Sequence, residues 1–112
     1  MNASPLSPLL ILCTCPDQAA AERIAETVVT ERLAACANLV PGLISIYRWQ
    51  GQMQRDSEWL LLIKTRQEVY PLLEARIHQL HPYQTPEIIA LPIQAGSAAY
   101  LDWIAENTGM PA

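Results

Sequence analysis

The most chemically versatile side chains in this sequence are three cysteines, Cys13, Cys15 and Cys36. Cys13 and Cys15 are two residues apart in the apolar segment "LLILCTC", so on a strand their thiols lie on the same face. Two thiolates on one face can bind Cu(I) or a similar soft metal. Unpaired cysteines also pack commonly as small buried hydrophobes, so both interpretations stay open. Cys36, in "LAACANL", lies among small residues and is interpreted mainly as a core residue.

Two histidines could add nitrogen ligands. His78 and His81 are three residues apart, which places them on one face of a helix. This spacing occurs in helical metal sites, but such sites also need a third ligand and often a nearby Glu base. We interpret His78 as a solvated surface residue. His81 is predicted at the end of the helix, where a cation suits the helix dipole, so a ligand role and a structural role both stay open.

A second group of residues could form a binding cleft. Lys64 is the only lysine and interrupts an apolar strand, so either its ammonium group extends to solvent at the strand end or it pairs with a carboxylate partner in a cleft. Glu87, a lone acid before the last strand, is the nearest candidate for that partner. The aromatic side chains of Tyr47, Trp49 and Tyr83 could wall such a cleft, or could serve as core or interface anchors.

The sequence lacks the motifs of the common enzyme classes. It contains no Ser-His-Asp set, no phosphate-binding glycine loop and no dinucleotide fingerprint. We therefore expect no catalysis. The net charge is −4, and the six arginines are scattered, so the sequence also disfavours nucleic-acid binding.

The hydrophobic pattern predicts alternating strands and helices around these residues. Ala21, Ile24, Ala25 and Val28 recur at the spacing of one helix face. Pro41-Gly42 should bend or bulge a strand, and Pro82 should end the second helix. The predicted strands are 9–15, 36–40 continuing as 43–49, 59–65 and 87–93; the predicted helices are 17–35, 67–80 and 97–109, and residues 50–58 are assigned to a chain reversal.

This order is β-α-β-β-α-β with an extra C-terminal helix, which predicts an α+β ferredoxin-like split sandwich. Close approach of Cys13 to Cys36 is compatible with that sheet. We predict a single domain over residues 1–112, with a loose arm at 1–7. The segment "LLILC" is too short to span a bilayer, and the N-terminus has no basic signal-peptide region, so we expect a cytoplasmic protein without membrane insertion.

The composition points to self-association. Only 16% of the residues are charged, against about 25% in average domains. The predicted strand 59–65 is apolar on both faces, although one face of an antiparallel sheet normally meets water. We therefore expect other copies of the chain to cover part of the surface.

Several segments together resemble one known family. "RLAACANLVPGLISIYRWQG", "LLIKT", "HPYQTPEIIALPI" and "YLDWI" are similar, in order and spacing, to the CutA divalent-cation tolerance proteins. The similarity runs from Leu9 to Ile104. It implies a ferredoxin-like subunit in a tight homotrimer, with an architecture similar to PII-type signalling proteins, and a link to copper and other divalent metals.

The resemblance also assigns expectations to individual residues. Cys36 lies in the matching "LAAC" block, whereas Cys13 lies where the family pattern is looser and Cys15 occupies a variable position. Residues 66–80 contain no cysteine, so a site with a third thiol from the second helix cannot form. The residues that match positions near the family's intersubunit cleft are Trp49, Lys64, His81, Tyr83 and Glu87.

Two functional hypotheses follow. The leading hypothesis is a non-catalytic, homotrimeric metal-binding protein of the metal-tolerance type, with copper or another divalent metal held by Cys13, Cys36 and His81. The alternative is a PII-like regulator that binds a small molecule or protein partner at the intersubunit cleft. The expected cleft residues are Tyr47, Trp49, Lys64, His81, Tyr83 and Glu87.

Overall fold

The structure, a computed structural model, describes residues 7–110. Its elements are β1 (Pro8–Cys15), α1 (Gln18–Thr30), β2 (Cys36–Trp49), β3 (Gln52–Arg66), α2 (Tyr70–Leu80), β4 (Ile88–Pro92) and α3 (Ala98–Glu106). The predicted order of elements is confirmed. Of the predicted loose arm 1–7, residues 1–6 lie outside the described range. The carbonyl of Ser7 accepts a hydrogen bond from the Gln67 amide at 2.8 Å.

The four strands form one antiparallel sheet in the order β2-β3-β1-β4. This is the α+β ferredoxin-like arrangement that the sequence predicted. Several odd-numbered side chains of β1 and β3, among them Ile11, Cys13 and Leu61, are fully buried in a cluster with Ile24 of α1 and Ile77 of α2. We call this face of the sheet the helix face and the opposite one the open face.

Local interactions explain where the first two helices begin and where the second one ends. Asp17 caps α1, its carboxylate accepting the Ala20 amide at 2.8 Å, and the predicted apolar stripe of α1 is buried. The second helix starts at Tyr70, three residues later than predicted, with Pro71 in its first turn, where a missing amide proton costs nothing. It ends at Leu80, before Pro82, as expected.

The predicted reversal over residues 50–58 is wrong. The turn is only Gln50-Gly51, with φ values of 52° and 78°, and β3 already begins at Gln52. Two residues with positive φ make the tight hairpin turn whose twist matches the flanking strands. The bulge predicted at Pro41-Gly42 is confirmed by a register shift between Val40 and Leu43.

The β2–β3 hairpin projects beyond the rest of the sheet. Strand β1 pairs with β3 only from Trp59 to Arg66, so residues 43–49 and 52–58 pair only with each other. This two-stranded ribbon helps give the molecule its long dimension of 49 Å, against 25 Å and 22 Å across. Ile44 and Ile46 on the ribbon are 51% and 61% exposed.

The open face carries the second apolar side of β3. Leu60 and Leu62 are half-buried there, and Ile89 and Leu91 of β4 are exposed. The helix α3, capped by Ser97 as predicted, contacts β3 and β1. Coverage by neighbouring subunits stays a prediction. None of the helices within residues 7–110 has the length and apolarity needed to cross a membrane.

Candidate functional site

One compact cluster of metal-binding side chains lies on the helix face. The ligand atoms of Cys13, Cys15 and His81 all lie within 4.8 Å of one another. The alternation of β1 turns both thiols toward the helices. His81 joins them because it directly follows α2, which packs on the same face. Both cysteines are fully buried, and His81 is 7% exposed.

Both ring nitrogens of His81 are already occupied. Nε2 lies 2.7 Å from the Thr14 carbonyl oxygen, and Nδ1 accepts the Tyr83 amide proton at 3.1 Å. Because the carbonyl can only accept, Nε2 must carry a proton, and the ring is held in one neutral tautomer. Coordination of a metal through either nitrogen would have to replace one of these two hydrogen bonds.

The two thiols differ in acidity. A hydrogen bond from Cys13, together with His81, lowers the pKa of Cys15 to about 6 in spite of its burial. The same hydrogen bond, burial and the Cys15 charge raise the pKa of Cys13. Burial alone would lower the pKa of His81, but its contacts with Cys15 and the Thr14 carbonyl raise it. The cluster therefore favours one thiolate, the form of cysteine that binds metals.

The approach of Cys13 to Cys36, which the predicted sheet left possible, does not occur within this chain. Cys36 pairs with Lys64 of β3, which pairs in turn with Leu10 of β1, so β3 separates the two cysteines. Two strand spacings amount to roughly 10 Å, and Cys36 also lies on the open face. Its sulfur lies 3.5 Å from the Tyr100 hydroxyl oxygen. The predicted metal set of Cys13, Cys36 and His81 is thus brought together only in part.

A groove of about 730 Å³ lies between the projecting hairpin and the loop at residues 82–87. The Tyr83 hydroxyl at its floor donates to Glu58 Oε2 at 2.8 Å. The Tyr47 hydroxyl donates to Asp56. Burial and the Glu58 contact raise the pKa of Tyr83. Four of the predicted cleft residues line this groove, namely Tyr47, Trp49, Tyr83 and Glu87.

The other two predicted cleft residues lie elsewhere. Lys64 donates a hydrogen bond to Asn38, not to Glu87. The expected pairing is wrong within the chain because Lys64 lies opposite Leu10, whereas Glu87 precedes the pair Ile88–Cys13 at the other end of β1. His81 lies beside the Tyr83 ring, with ring centroids 4.8 Å apart, but does not line the groove.

Glu58 was not predicted from the sequence, and Cys15, although considered as a soft-metal ligand beside Cys13, was left out of the predicted metal set. Glu58 is only 5% exposed and lies on the open-face side of β3. Glu58 lies two residues before Leu60, so the alternation of β3 places both side chains on the same face. The assignment of residues 50–58 to a chain reversal hid this pattern. Cys15 was set aside as a variable position, although its spacing from Cys13 already placed both thiols on one face.

The sequence model of the "CutA1 divalent ion tolerance protein" family matches residues 9–107. The chain belongs to the CutA1 family. A relative described as "Divalent-cation tolerance protein CutA" from Thermus thermophilus is 55% identical over 100 residues, covering 89% of this chain and 97% of the relative. "Protein CutA, chloroplastic" from Arabidopsis thaliana is 45% identical over 107 residues, covering 96% of this chain and 59% of that longer protein.

Solved CutA structures share the fold. The Thermus thermophilus divalent cation tolerance protein superposes with a TM-score of 0.89 at 54% identity, covering 91% of this chain and 99% of that one. CutA1 from Oryza sativa superposes with a TM-score of 0.90 at 40% identity, covering 93% and 95%. The family and its α+β fold, as the sequence indicated, are therefore confirmed.

Proposed function

We propose that this CutA1 family member binds a copper-type metal ion as a non-catalytic, cytoplasmic homotrimer that contributes to metal-ion tolerance. The family's name associates its members with divalent cations. The observation that carries the proposal for this chain is the cluster of Cys13, Cys15 and His81, whose ligand atoms lie within 4.8 Å of one another.

The donor types and spacing suit a soft or borderline ion. Thiolate and imidazole favour copper and zinc over magnesium and calcium, which prefer oxygen ligands. Metal–sulfur bonds of about 2.3 Å allow two sulfur ligands to be at most about 4.6 Å apart. Three ligands arranged around one ion would be about 4 Å apart, so closure of the cluster needs movements of up to roughly 1 Å, plus the exchange of one His81 hydrogen bond for a metal bond.

The burial of Cys15 and His81 supports a non-catalytic role. Within residues 7–110, the cluster of Cys13, Cys15 and His81 is where thiols approach an imidazole, and Cys15 and His81 are the pair considered for catalysis. No substrate can reach this pair without local opening, because Cys15 is fully buried and His81 is nearly so. A bound metal, in contrast, needs only its ligands and a brief opening for access.

Metal titration with matched serine variants tests the site. We expect calorimetry with Cu and Zn to give one tight site per chain in the wild type, loss of that site in Cys15→Ser, and retention in Cys36→Ser. Circular dichroism of each variant checks the fold. Binding that survives Cys15→Ser, or that disappears in Cys36→Ser, would contradict the assignment of the site.

The exposed apolar surface supports the trimer. A two-stranded ribbon is marginal in water by itself, and here Ile44 on the ribbon and Ile89 on the open face are 51% and 49% exposed. Burial against neighbouring subunits would remove both features. Analytical ultracentrifugation should give three times the chain mass of 12.5 kDa. A monomeric mass at micromolar concentration would overturn this part of the proposal.

A second candidate function is a regulator that binds a ligand in the groove. The observation that favours it is the combination of the aromatic walls with the nearly buried carboxylate of Glu58. A thermal-shift screen against metabolites should give hits that weaken in Trp49→Leu but persist in Met53→Leu, since Met53 is on the same hairpin but outside the groove. A screen without hits would count against this function.

A further inference from the structure

The groove between the hairpin and the loop at 82–87 carries charge of only one sign. The charged side chains among its lining residues are the carboxylates of Glu58 and Glu87. Asp56 adds a third carboxylate next to the groove, since it accepts the hydrogen bond of Tyr47. No lysine or arginine is among the lining residues, so the negative charge is not balanced from within the groove.

The carboxylate of Glu58 is held in place as a hydrogen-bond acceptor. It is 5% exposed, and within residues 7–110 its only hydrogen-bond donor is the Tyr83 hydroxyl, which contacts Oε2. No fully buried side-chain oxygen of the described chain lacks a hydrogen-bond partner, so Oε1 keeps access to the groove. An accessible carboxylate oxygen can accept a hydrogen bond from a ligand, and a charged donor makes the strongest such bond.

The aromatic side chains that line the groove also favour a positively charged ligand. Tyr47, Trp49 and Tyr83 line the groove, and Tyr47 and Trp49 remain 39% and 40% exposed. The faces of aromatic rings carry negative potential and attract cations, tryptophan most strongly. A carboxylate at the floor and aromatic rings at the walls together discriminate against anions and favour an ammonium group on an apolar body.

We propose that the groove binds a small organic ammonium ion, with its N–H donating to Glu58 Oε1 and its apolar body contacting Trp49 and Tyr83. This inference rests on the second candidate function, that the groove takes a ligand, and it names the chemical class of that ligand. It is independent of the metal cluster on the helix face, because none of Cys13, Cys15 and His81 lines the groove.

The test uses three probes of similar shape and different charge: phenethylamine, phenethyl alcohol and phenylacetate. Calorimetry on the full-length protein at neutral pH compares their affinities. A charge-assisted hydrogen bond should make the amine bind about tenfold to a hundredfold tighter than the alcohol. The carboxylate should bind more weakly than either.

Two variants locate the effect. Glu58→Gln keeps an oxygen that can accept the Tyr83 hydroxyl, so the fold should be retained while the preference for the amine disappears. Met53→Leu, outside the groove, should behave like the wild type. Equal affinities for amine and alcohol, or an unchanged preference in Glu58→Gln, would overturn the ammonium inference and leave a groove that binds ligands of another class. Failure of all three probes to bind would overturn both the inference and the regulator function.

Discussion

Replacement of His81 by alanine should destabilise the protein strongly, even without metal. The imidazole joins two segments, because Nε2 donates to the Thr14 carbonyl of β1 and Nδ1 accepts the Tyr83 amide of the following loop. Alanine removes both interactions and leaves a space where the ring packs. It therefore tests whether His81 has a structural role in addition to any metal binding.

The magnitude follows from the groups left behind. A buried donor or acceptor without a partner costs about 1–3 kcal/mol, and here the part-buried Tyr83 amide loses its acceptor while the Thr14 carbonyl keeps only the 3.9 Å contact of the Cys13 thiol. The lost packing of the ring adds to this, while movement of water into the site reduces it. We expect the free energy of unfolding to fall by roughly 2–5 kcal/mol. For a domain of this size that corresponds to a decrease in Tm of about 10 °C or more.

Equilibrium denaturant unfolding at one fixed protein concentration in the presence of a chelator measures this change. The matched control is His78→Ala, since His78 is exposed and 3.9 Å from Glu74, and it should change stability by less than about 0.5 kcal/mol. His81→Gln should fall between the two variants, because its amide can donate to the Thr14 carbonyl in place of Nε2. A loss below about 0.5 kcal/mol for His81→Ala, or a loss seen only with metal present, would refute the reasoning.

Three further predictions concern other parts of the fold. Asp17→Ala should cost about 1 kcal/mol in denaturant unfolding, whereas Asp17→Asn, which retains the cap of α1, should cost far less; equal losses would contradict the capping role. Gly51→Ala should cost roughly 1 kcal/mol because φ is 78° there, whereas Gly51→Asn should be milder; equal stability of all three proteins would contradict the turn strain. Burial, with the Glu74 contact, raises the pKa of Tyr70 to about 12, so its neutral form is favoured in the folded state. This contribution to stability should be complete below pH 10 and lost as the pH rises toward 12, with Tyr70→Phe flattening that decline; an unchanged alkaline decline in Tyr70→Phe would contradict the shift.

The sequence predicted those elements whose buried residues or turn residues form a pattern within a short segment. The stripe Ala21, Ile24, Ala25 and Val28 needed only helical spacing, and the bulge at Gly42 needed only the chemistry of one dipeptide. Most of the segment 52–58 has no such signal because it belongs to a projecting ribbon, where the side chains of residues 52–57 are largely exposed. The polar composition of this segment led to its assignment to a chain reversal.

The candidate site was predicted less well because it depends on distant pairings. That Cys36 lies on the opposite face from Cys13 follows only once β3 is known to separate β1 from β2. The approach of His81 to Cys15 depends on how α2 packs against β1, which joins residues far apart in the sequence. The cleft aromatics were found because Tyr47 and Trp49 alternate on one strand and Tyr83 lies on a proline-bounded loop, both of which are local features.

The two candidate sites meet at one short stretch of the chain. Thr14 lies between the paired thiols, its carbonyl accepts from His81, and it also lines the groove. From His81 the contacts continue to the Tyr83 amide, and the Tyr83 hydroxyl reaches Glu58. If the proposed metal took a nitrogen of His81, it would replace one of these hydrogen bonds. We therefore expect binding at the two proposed sites to be coupled, and any such coupling must be reciprocal. Substitutions of Cys15 and Glu58 separate the two sites better than substitution of His81, which contacts residues of both.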